Sequence, residues 1–467
     1  MTSRKTKKNN KKKKMSAGTN TKHGEKIKRF IMSRRTALTA RFLKSICSDS
    51  GECIVFGKET EKIKKFFQGF SNFNHVQFPI VKIAKGSNGY VHEIKYRREN
   101  YSATALLKST LDPEADNLIY EYLVGKYINK KRLLFPCFLE TYGVFQYANE
   151  DAHHIFSSSY LTKSDVNFDE DLIPIQDTDP DFFAISCKNS LYLTVLVEYI
   201  HEAIPIRTMA NLPPLEFEKF VNNELVYILF QVYMPLSMLV DEYTHYDLHD
   251  QNILLYKPLD RKYIQYHYHL SDGSVVTFKS RYLVKIIDYG RSYFYENETK
   301  NSLQIFNTLC QTKECNQNGE FCGIDSGFSI LAPEEKEGAF HFISSQKSNK
   351  SHDLRLLNEL RKKIKKSPSL VLPEITDFFK RIVYSEDYGT KARDSDGTNT
   401  IYNVVDAFHA LVKLTNPVRN EKTYKSFTKV GDLHVTGNSP CRFEPHSPNT
   451  PLPPSPHNPI SLPPPLP

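Results

Sequence analysis

Two short polar loops, each set at the end of an apolar strand, constrain this chain more than any other feature. The segment HYDLHDQNILLY (245–256) places Asp247 five residues before Asn252 and then runs into the apolar stretch Ile253–Leu255. Thirty-six residues beyond Asn252, VKIIDYGRS carries an apolar strand into Asp288 and a turn permitted by Gly290. Asp, Asn and Gly are ordinary capping and turn residues, so either loop alone says little. The pair is more specific. A carboxylate can accept the hydrogen bond of an incoming hydroxyl, and an amide oxygen and a second carboxylate are hard ligands for a divalent cation beside phosphates.

The preceding region supplies strands. FPIVKIAKG, a glycine-containing turn, GYVHEIKY, the polar turn RREN and YSATALLKS read as consecutive hairpins. The first turn, IAKGSNGYVHEI (83–94), holds Ala84, Gly86, Gly89 and Val91, small residues that let backbone amides approach an anion. Lys108 follows Val91 by seventeen residues on the third strand. Asp112 and Pro113 then start a helix that presents Glu114 and Glu121 on one face. Glu121 is the preferred partner for Lys108, because Glu114 in the first turn also suits the helix dipole. FPCFLETYGVF (135–145) and LYLTVLVEYI (191–200) add two more strands.

Together these residues resemble the eukaryotic-type protein kinases over about residues 78 to 355, and in particular the divergent kinase-like proteins of large DNA viruses. The resemblance implies an α+β, two-lobed fold: a small β-rich N-lobe of five strands and one helix, a larger mainly helical C-lobe, and ATP between them. It implies that Ala84, standing for the first loop glycine, with Gly86 and Gly89, covers the phosphates, and that Val91 lies on the adenine. Lys108, held by Glu121, would reach the α- and β-phosphates. Val197 would be the gatekeeper, with the backbone of Glu198 and Ile200 on the adenine edge. Asp247 would be the catalytic base, and Asn252 and Asp288 the ligands of Mg²⁺ or Mn²⁺. The activity implied is ATP-dependent phosphorylation of a protein, on Ser or Thr.

The departures keep other readings open. Tyr246 replaces the arginine that reads a phosphorylated activation loop. His249 stands where protein kinases carry lysine, which resembles aminoglycoside and other small-molecule kinases; its imidazole would steady the γ-phosphate with less charge. A small-molecule or lipid kinase, or a catalytically weak pseudokinase scaffold, are therefore the alternatives. Ala332-Pro333-Glu334 matches the end of an activation segment, by homology or by coincidence. Asp353 is either a brace for the catalytic loop or an N-cap. Cys310, Cys315 and Cys322, with His341 or His352, make a four-ligand zinc site conceivable, although no C-x-x-C pair is present.

Charge and composition set the boundaries. Residues 1–44 hold sixteen Lys/Arg against Glu25, so the formal charge of +9 divides into a +15 arm and a remainder of −6. The expected organisation is a disordered basic arm (1–25), a partly helical extension (26–75, with a helix from Lys26 to Ile46) and the N-lobe (76–198). The N-lobe carries an acidic surface insertion (149–188) and is followed by the C-lobe (199–415) and a Pro-rich, largely disordered tail (416–467). A basic arm is either a solvated tail or a surface for nucleic acid or an acidic partner, and PLPPSP and LPPPLP are either solvated or ligands for SH3- or WW-type domains. The start has no apolar run for a secretion signal. LVYILFQVYMPLSMLV (225–240) is too short and broken to span a membrane and reads as a buried helix ending near Tyr243. Eight scattered cysteines suggest reduced thiols inside a cell, in the cytoplasm or nucleus of an infected host or in a virion if the viral resemblance holds.

Overall fold

Alternating burial builds the first half of the protein. In the computed structural model, which describes residues 46–47, 53–70, 72–86, 89–99, 101–111, 118–176, 189–257, 261–309, 328–331, 340–343, 345–366, 371–384 and 391–446, a helix α1 (Glu59–Phe66) precedes three long strands. These are β1 (Val76–Lys85), β2 (Gly89–Arg98) and β3 (Tyr101–Thr110). On β2, Tyr90, His92, Ile94 and Tyr96 point into the core while Lys95 and Arg97 face water, the period of two that a half-buried strand requires. Helix α2 (Leu118–Arg132) and strand β4 (Thr141–Tyr147) come next. Leu118 and Ile119 pack on Val144, Leu193 and Val195, which fixes the helix against the sheet.

The acidic insertion, expected at the surface between strands, carries secondary structure over its described residues 149–176. It contains α3 (Glu150–Phe156), capped by the Asn149 side chain on Ala152 N, then β5 (Tyr160–Leu161) and β6 (Leu172–Pro174). Strand β7 (Leu193–Glu198) closes the region. The order is β5-β1-β2-β3-β7-β4-β6, antiparallel throughout, so the insertion adds an edge strand to each side of a five-stranded centre. The reason lies in the apolar residues spaced among its acids: Phe156, Leu161, Phe168 and Leu172 are all buried, and Phe168 stacks on Phe73 at 4.3 Å.

The second half is built around α4 (Val226–Met238), in which every residue from Val226 to Leu236 is buried. A helix apolar on all sides belongs in a core. It stops five residues before Tyr243, which lies in a two-residue strand with Thr244. Strand β8 (Ile253–Tyr256), the hairpin β9 (Lys262–His269) and β10 (Val275–Ser280), and β11 (Leu283–Ile286) follow. Beyond them lie helices α5 (Arg355–Ile364) and α6 (Val404–Leu414). The β9–β10 hairpin packs on α4, with Phe230 at 5.0 Å from the Tyr268 ring and 5.4 Å from Phe278.

The expectation of a disordered tail from residue 416 is corrected. Residues 417–446 form α7 (Pro417–Thr423), β12 (Thr428–Val435) and β13 (Arg442–Pro445). β12 lies parallel to β9, giving the sheet β10-β9-β12-β13 and making the C-terminal body richer in strand than a mainly helical lobe. Gly431, Leu433 and Val435 alternate inward, a strand pattern masked in the sequence by the prolines that follow. The Tyr424 hydroxyl donates to Glu224 Oε2 (2.6 Å) and accepts from Arg281 N (3.0 Å), while Arg281 Nε meets Glu224 Oε1 at 3.1 Å. Burial pushes the Glu224 carboxyl up to about 7 despite Arg281 and Tyr424. At the far end Cys441 N–H donates to Leu133 O at 2.7 Å, and Phe443 packs on Phe56 at 5.5 Å.

Cys137 and Cys441 are buried thiols, but Cys53 is disulfide-bonded, so the expectation of reduced cysteines fails there. The basic arm and the tail beyond His446 lie outside the described residues, as does the Lys26–Ile46 helix apart from Ile46, which begins a two-residue strand. Among the described residues no helix is long and apolar enough to cross a membrane. A chain ended at His446 should keep the full-length melting temperature, whereas one ended at Thr415 should not fold stably. Tyr424→Phe should cost about 1–3 kcal/mol in urea unfolding. An unchanged midpoint for the chain ended at Thr415 would show that the β12–β13 unit is dispensable.

Candidate active site

Three groups far apart in sequence meet at one ammonium. Lys108 Nζ lies 2.8 Å from Glu121 Oε2 and 2.7 Å from Asp288 Oδ1. The register pairs Lys108 with Val91 on one side and Val195 on the other, so β3 is the strand between the hairpin and β7. Glu121 is buried on α2, and Glu114 lies outside the described residues. Burial works against the charge on Lys108, but Asp288 and then Glu121 more than offset it and hold the ammonium protonated. Burial likewise raises the Asp288 carboxyl, and Lys108 reverses this to leave it at about 2. Asp288 keeps 35% of its side chain exposed, enough for a ligand to reach it.

The β8–β11 ladder brings the second loop alongside. Ile253 pairs with Ile286, and Ile287 N–H donates to Asn252 O at 3.1 Å, so Asn252 and Asp288 leave neighbouring strands at the same end. Asn252 Nδ2 donates to Asp247 O at 3.0 Å, which leaves its amide oxygen as the side-chain acceptor. Tyr289 is tucked inward, its hydroxyl accepting from Leu139 N (2.7 Å) and close to Ile286 O (2.9 Å). Asp288 and Tyr246 both have positive φ, 69° and 64°, in a region costly for residues with a Cβ. Strain at these two points flanks the proposed base and metal ligands.

Asp353 braces the loop that carries Asp247 and is not an N-cap. Its Oδ2 accepts from His245 N (2.8 Å) and its Oδ1 from Tyr246 N (3.0 Å), and it caps no helix with its side chain. Glu359, one turn into α5, accepts from Asp250 N at 2.9 Å, so the same helix holds both ends of the loop. Tyr246 is buried against His352, with ring centroids 4.8 Å apart, and its hydroxyl donates to Lys347 O at 2.6 Å. Tyr246 is thus a packing residue.

Sequence reasoning missed Arg355 and Arg291. Arg355 Nη1 is 2.7 Å from Asp247 Oδ1, and Arg291 Nη1 is 3.8 Å from Oδ2. Burial raises the Asp247 carboxyl, but Arg291, His249 and Arg355 outweigh it and pull it below its ordinary range. The signal was present, since Arg291 belongs to the quoted VKIIDYGRS and Arg355 lies two residues after Asp353. His249 Nε2 is 3.8 Å from Asp247 Oδ1, its Nδ1 accepts from Gln251 N, and burial lowers its pKa, so the imidazole is neutral at pH 7.

The hairpin is formed as expected. Ala84 pairs with Val91, and Gly86 N–H donates to Gly89 O at 2.8 Å. Gly89 is required by the sheet itself, because a Cβ there would lie 2.1 Å from Ser109 O. Gly86 has open space around it and no need of a positive φ, so any demand for glycine there comes from something that approaches the turn. At the other edge of the cleft, Val197 pairs with Leu106, Glu198 N–H is taken by Glu140 O (2.8 Å), and the Ile200 carbonyl accepts from Ala203 N. The Glu198 side chain is buried between Arg132 Nε (3.5 Å) and Lys285 Nζ (3.4 Å).

The cysteine trio and Ala332-Pro333-Glu334 lie outside the described residues. Among the described residues no group of three or more His, Cys, Asp or Glu is arranged to hold a metal. His352 instead packs between Tyr246 and Tyr384. Asp288 and Asn252 each carry a side-chain oxygen of the type that a small hard cation takes as ligand beside waters and phosphates.

No family profile matches the chain, and no curated protein matches it. Among solved structures, the chain is similar to a kinase domain, that of PF14_0431, at 12% identity and a TM-score of 0.26. The match covers 48% of this chain and 53% of that one. The chain therefore spans about half the length of that kinase domain.

Burial raises the Asp353 carboxyl to about 6, so the folded state takes up a proton between about pH 4 and 6. A raised carboxyl contributes most at low pH and loses that contribution as pH climbs through 6. The stability of wild type relative to Asp353→Asn should therefore decline by up to about 3 kcal/mol from pH 4 to 7. Urea midpoints across that range test this, and a pH-independent difference would contradict it.

Proposed function

We propose that this protein is an ATP-dependent kinase that transfers the γ-phosphate of Mg-ATP to a protein hydroxyl, on Ser or Thr. The observation that carries the reading is the meeting of Lys108 with Glu121 and Asp288 at 2.8 and 2.7 Å, beside a loop that presents Asp247 and Asn252. Each group then has a task. The β1–β2 hairpin, open around Gly86, covers the phosphates, and Lys108, held in position by Glu121, contacts the α- and β-phosphates. Val91 and Val197 line the adenine. Its polar edge is left to the Glu198 carbonyl and the Ile200 amide, because the Glu198 amide is already bonded.

Asp288 and Asn252 would hold Mg²⁺ or Mn²⁺, which when bound neutralises charge on the phosphates. Asp247 accepts the hydrogen bond of the substrate hydroxyl and so aims its oxygen at the γ-phosphorus. As that oxygen bonds to phosphorus, the bond to the β-phosphate oxygen breaks, ADP takes the electron pair, and the hydroxyl proton passes to Asp247. His249, neutral at pH 7, can donate one hydrogen bond to the transferring group but adds no charge.

The Arg355–Asp247 ion pair at 2.7 Å favours a second reading, in which the cleft binds nucleotide with little transfer, because a carboxylate held by guanidinium is a weak base. Incubation of the full chain with Mg-ATP and a generic protein, with identification of the phosphorylated residue type, separates the two. On the first reading Asp247→Asn and Lys108→Met each reduce transfer by about 10²- to 10⁴-fold with melting temperatures retained. Undiminished transfer by either variant sinks it. A Mg-ATP-dependent rise in melting temperature without transfer supports the second.

A further inference from the structure

Beside the proposed base the surface opens into a cavity of about 380 Å³ whose wall includes His249 and Gln251 of the catalytic loop. Its charge is one-sided. Arg207, Arg355, Lys362, Lys363 and Lys366 face it against the carboxylates of Asp250 and Glu359. Among the described residues, counting Asp247, which pairs with Arg355, as a third carboxylate, the cations at this cavity still outnumber the carboxylates.

Both wall carboxylates already have partners. Glu359 accepts from Asp250 N (2.9 Å) and pairs with Arg355 Nε (3.3 Å), and Asp250 Oδ1 is 3.6 Å from Arg207 Nε. Lys363 donates to the Asn211 side-chain oxygen at 2.8 Å, a neutral partner that leaves its charge uncompensated.

The charged groups are also ordered in space, three cations and the one carboxylate that Arg355 pairs with. Arg355, Glu359, Lys362 and Lys366 follow one another at intervals of four, three and four residues, which is one face of α5 and of the turn that continues it. At 1.5 Å per residue this stripe runs about 16 Å from the guanidinium on Asp247 outward. An extended peptide covers that distance in about five residues. A substrate with its hydroxyl at Asp247 would therefore lay its next few side chains along a cationic wall.

We propose that this cavity is the specificity subsite of the enzyme and takes an anionic side chain, phosphoserine or phosphothreonine above carboxylate, two to five residues from the acceptor hydroxyl of a protein substrate. The acceptor part of this assignment rests on the phosphotransferase reading above; the anion-binding part stands on the cavity alone. A dianionic phosphate satisfies a cluster of ammonium and guanidinium groups better than a single carboxylate does. It also competes with Asp247 for Arg355, so a bound phosphopeptide would loosen the ion pair that holds the base.

The test uses the full chain and fluorescent serine peptides carrying phosphoserine, Asp or Ala three residues from the acceptor, with binding read by anisotropy. The phosphopeptide should bind at least about ten-fold tighter than the Ala peptide, with Asp between them and the preference shrinking at high salt. Lys362→Glu with Lys366→Glu should remove the preference, and the milder Lys362→Ala with Lys366→Ala should reduce it at an unchanged melting temperature. Equal binding of the three peptides by the wild type overturns the proposal, as does a preference that survives the double charge reversal. Inorganic phosphate or single-stranded RNA that displaces the phosphopeptide at equal concentration would show that the cavity does not select a peptide, and would overturn it too. Where transfer is measurable, the phosphopeptide should gain through KM rather than kcat. A phosphopeptide preference with no transfer to any peptide leaves the cavity assigned and removes the phosphotransferase reading instead.

Discussion

The site is organised by one ammonium between two carboxylates. Lys108 comes from a central strand, Glu121 from the helix packed on β4 and β7, and Asp288 from the C-terminal body, so their contact ties three elements to a point. Two negative charges against one positive leave a residual charge of −1, carried mainly by the partly exposed Asp288. Such a point attracts a cation, and a cation bound there in turn attracts phosphate. Burial strengthens each of these interactions by removing competing water, which is why the directions of the Lys108 and Asp288 shifts are opposite and mutually reinforcing.

The loop that carries Asp247 and Asn252 is held by a different device. Asp353 and Glu359, six residues apart on one helical segment, accept the backbone N–H groups of His245, Tyr246 and Asp250. The loop thus takes its shape from hydrogen bonds to a neighbouring helix, and its own side chains stay available for other contacts. Arg355 lies between these two acids in sequence and pairs with Asp247, so the segment that braces the loop also holds its carboxylate. Behind the cleft, Arg132, Glu140, Glu198 and Lys285 form a buried network linking the end of α2, β7 and β11. Removing one member would strand an opposite charge in the interior.

How much of this was legible in the sequence depended on range. The strands and turns that carry Lys108, Asp247, Asn252 and Asp288 were legible because each is a local pattern that the chain writes within a dozen residues. The five central strands were legible for the same reason. The parallel pairing of β12 with β9 was not, since partners such as Tyr266 and Leu433 are far apart in the chain and the proline-rich context hid the alternation. The two edge strands within the acidic insertion were not legible, because its charges outnumber the few apolar residues that anchor it. Arg355 was missed because its partner is 108 residues away.

The C-terminal segment has a kinematic consequence. Two bodies joined by one strand-to-helix crossing can both open and twist about it. Here a second tether leaves the C-terminal body through β12 and returns at Cys441 to Leu133, just beyond α2. Together with the buried contacts of Arg132 and Lys285 on Glu198, it holds the two halves at points away from the crossing, and each such attachment resists torsion of one half against the other.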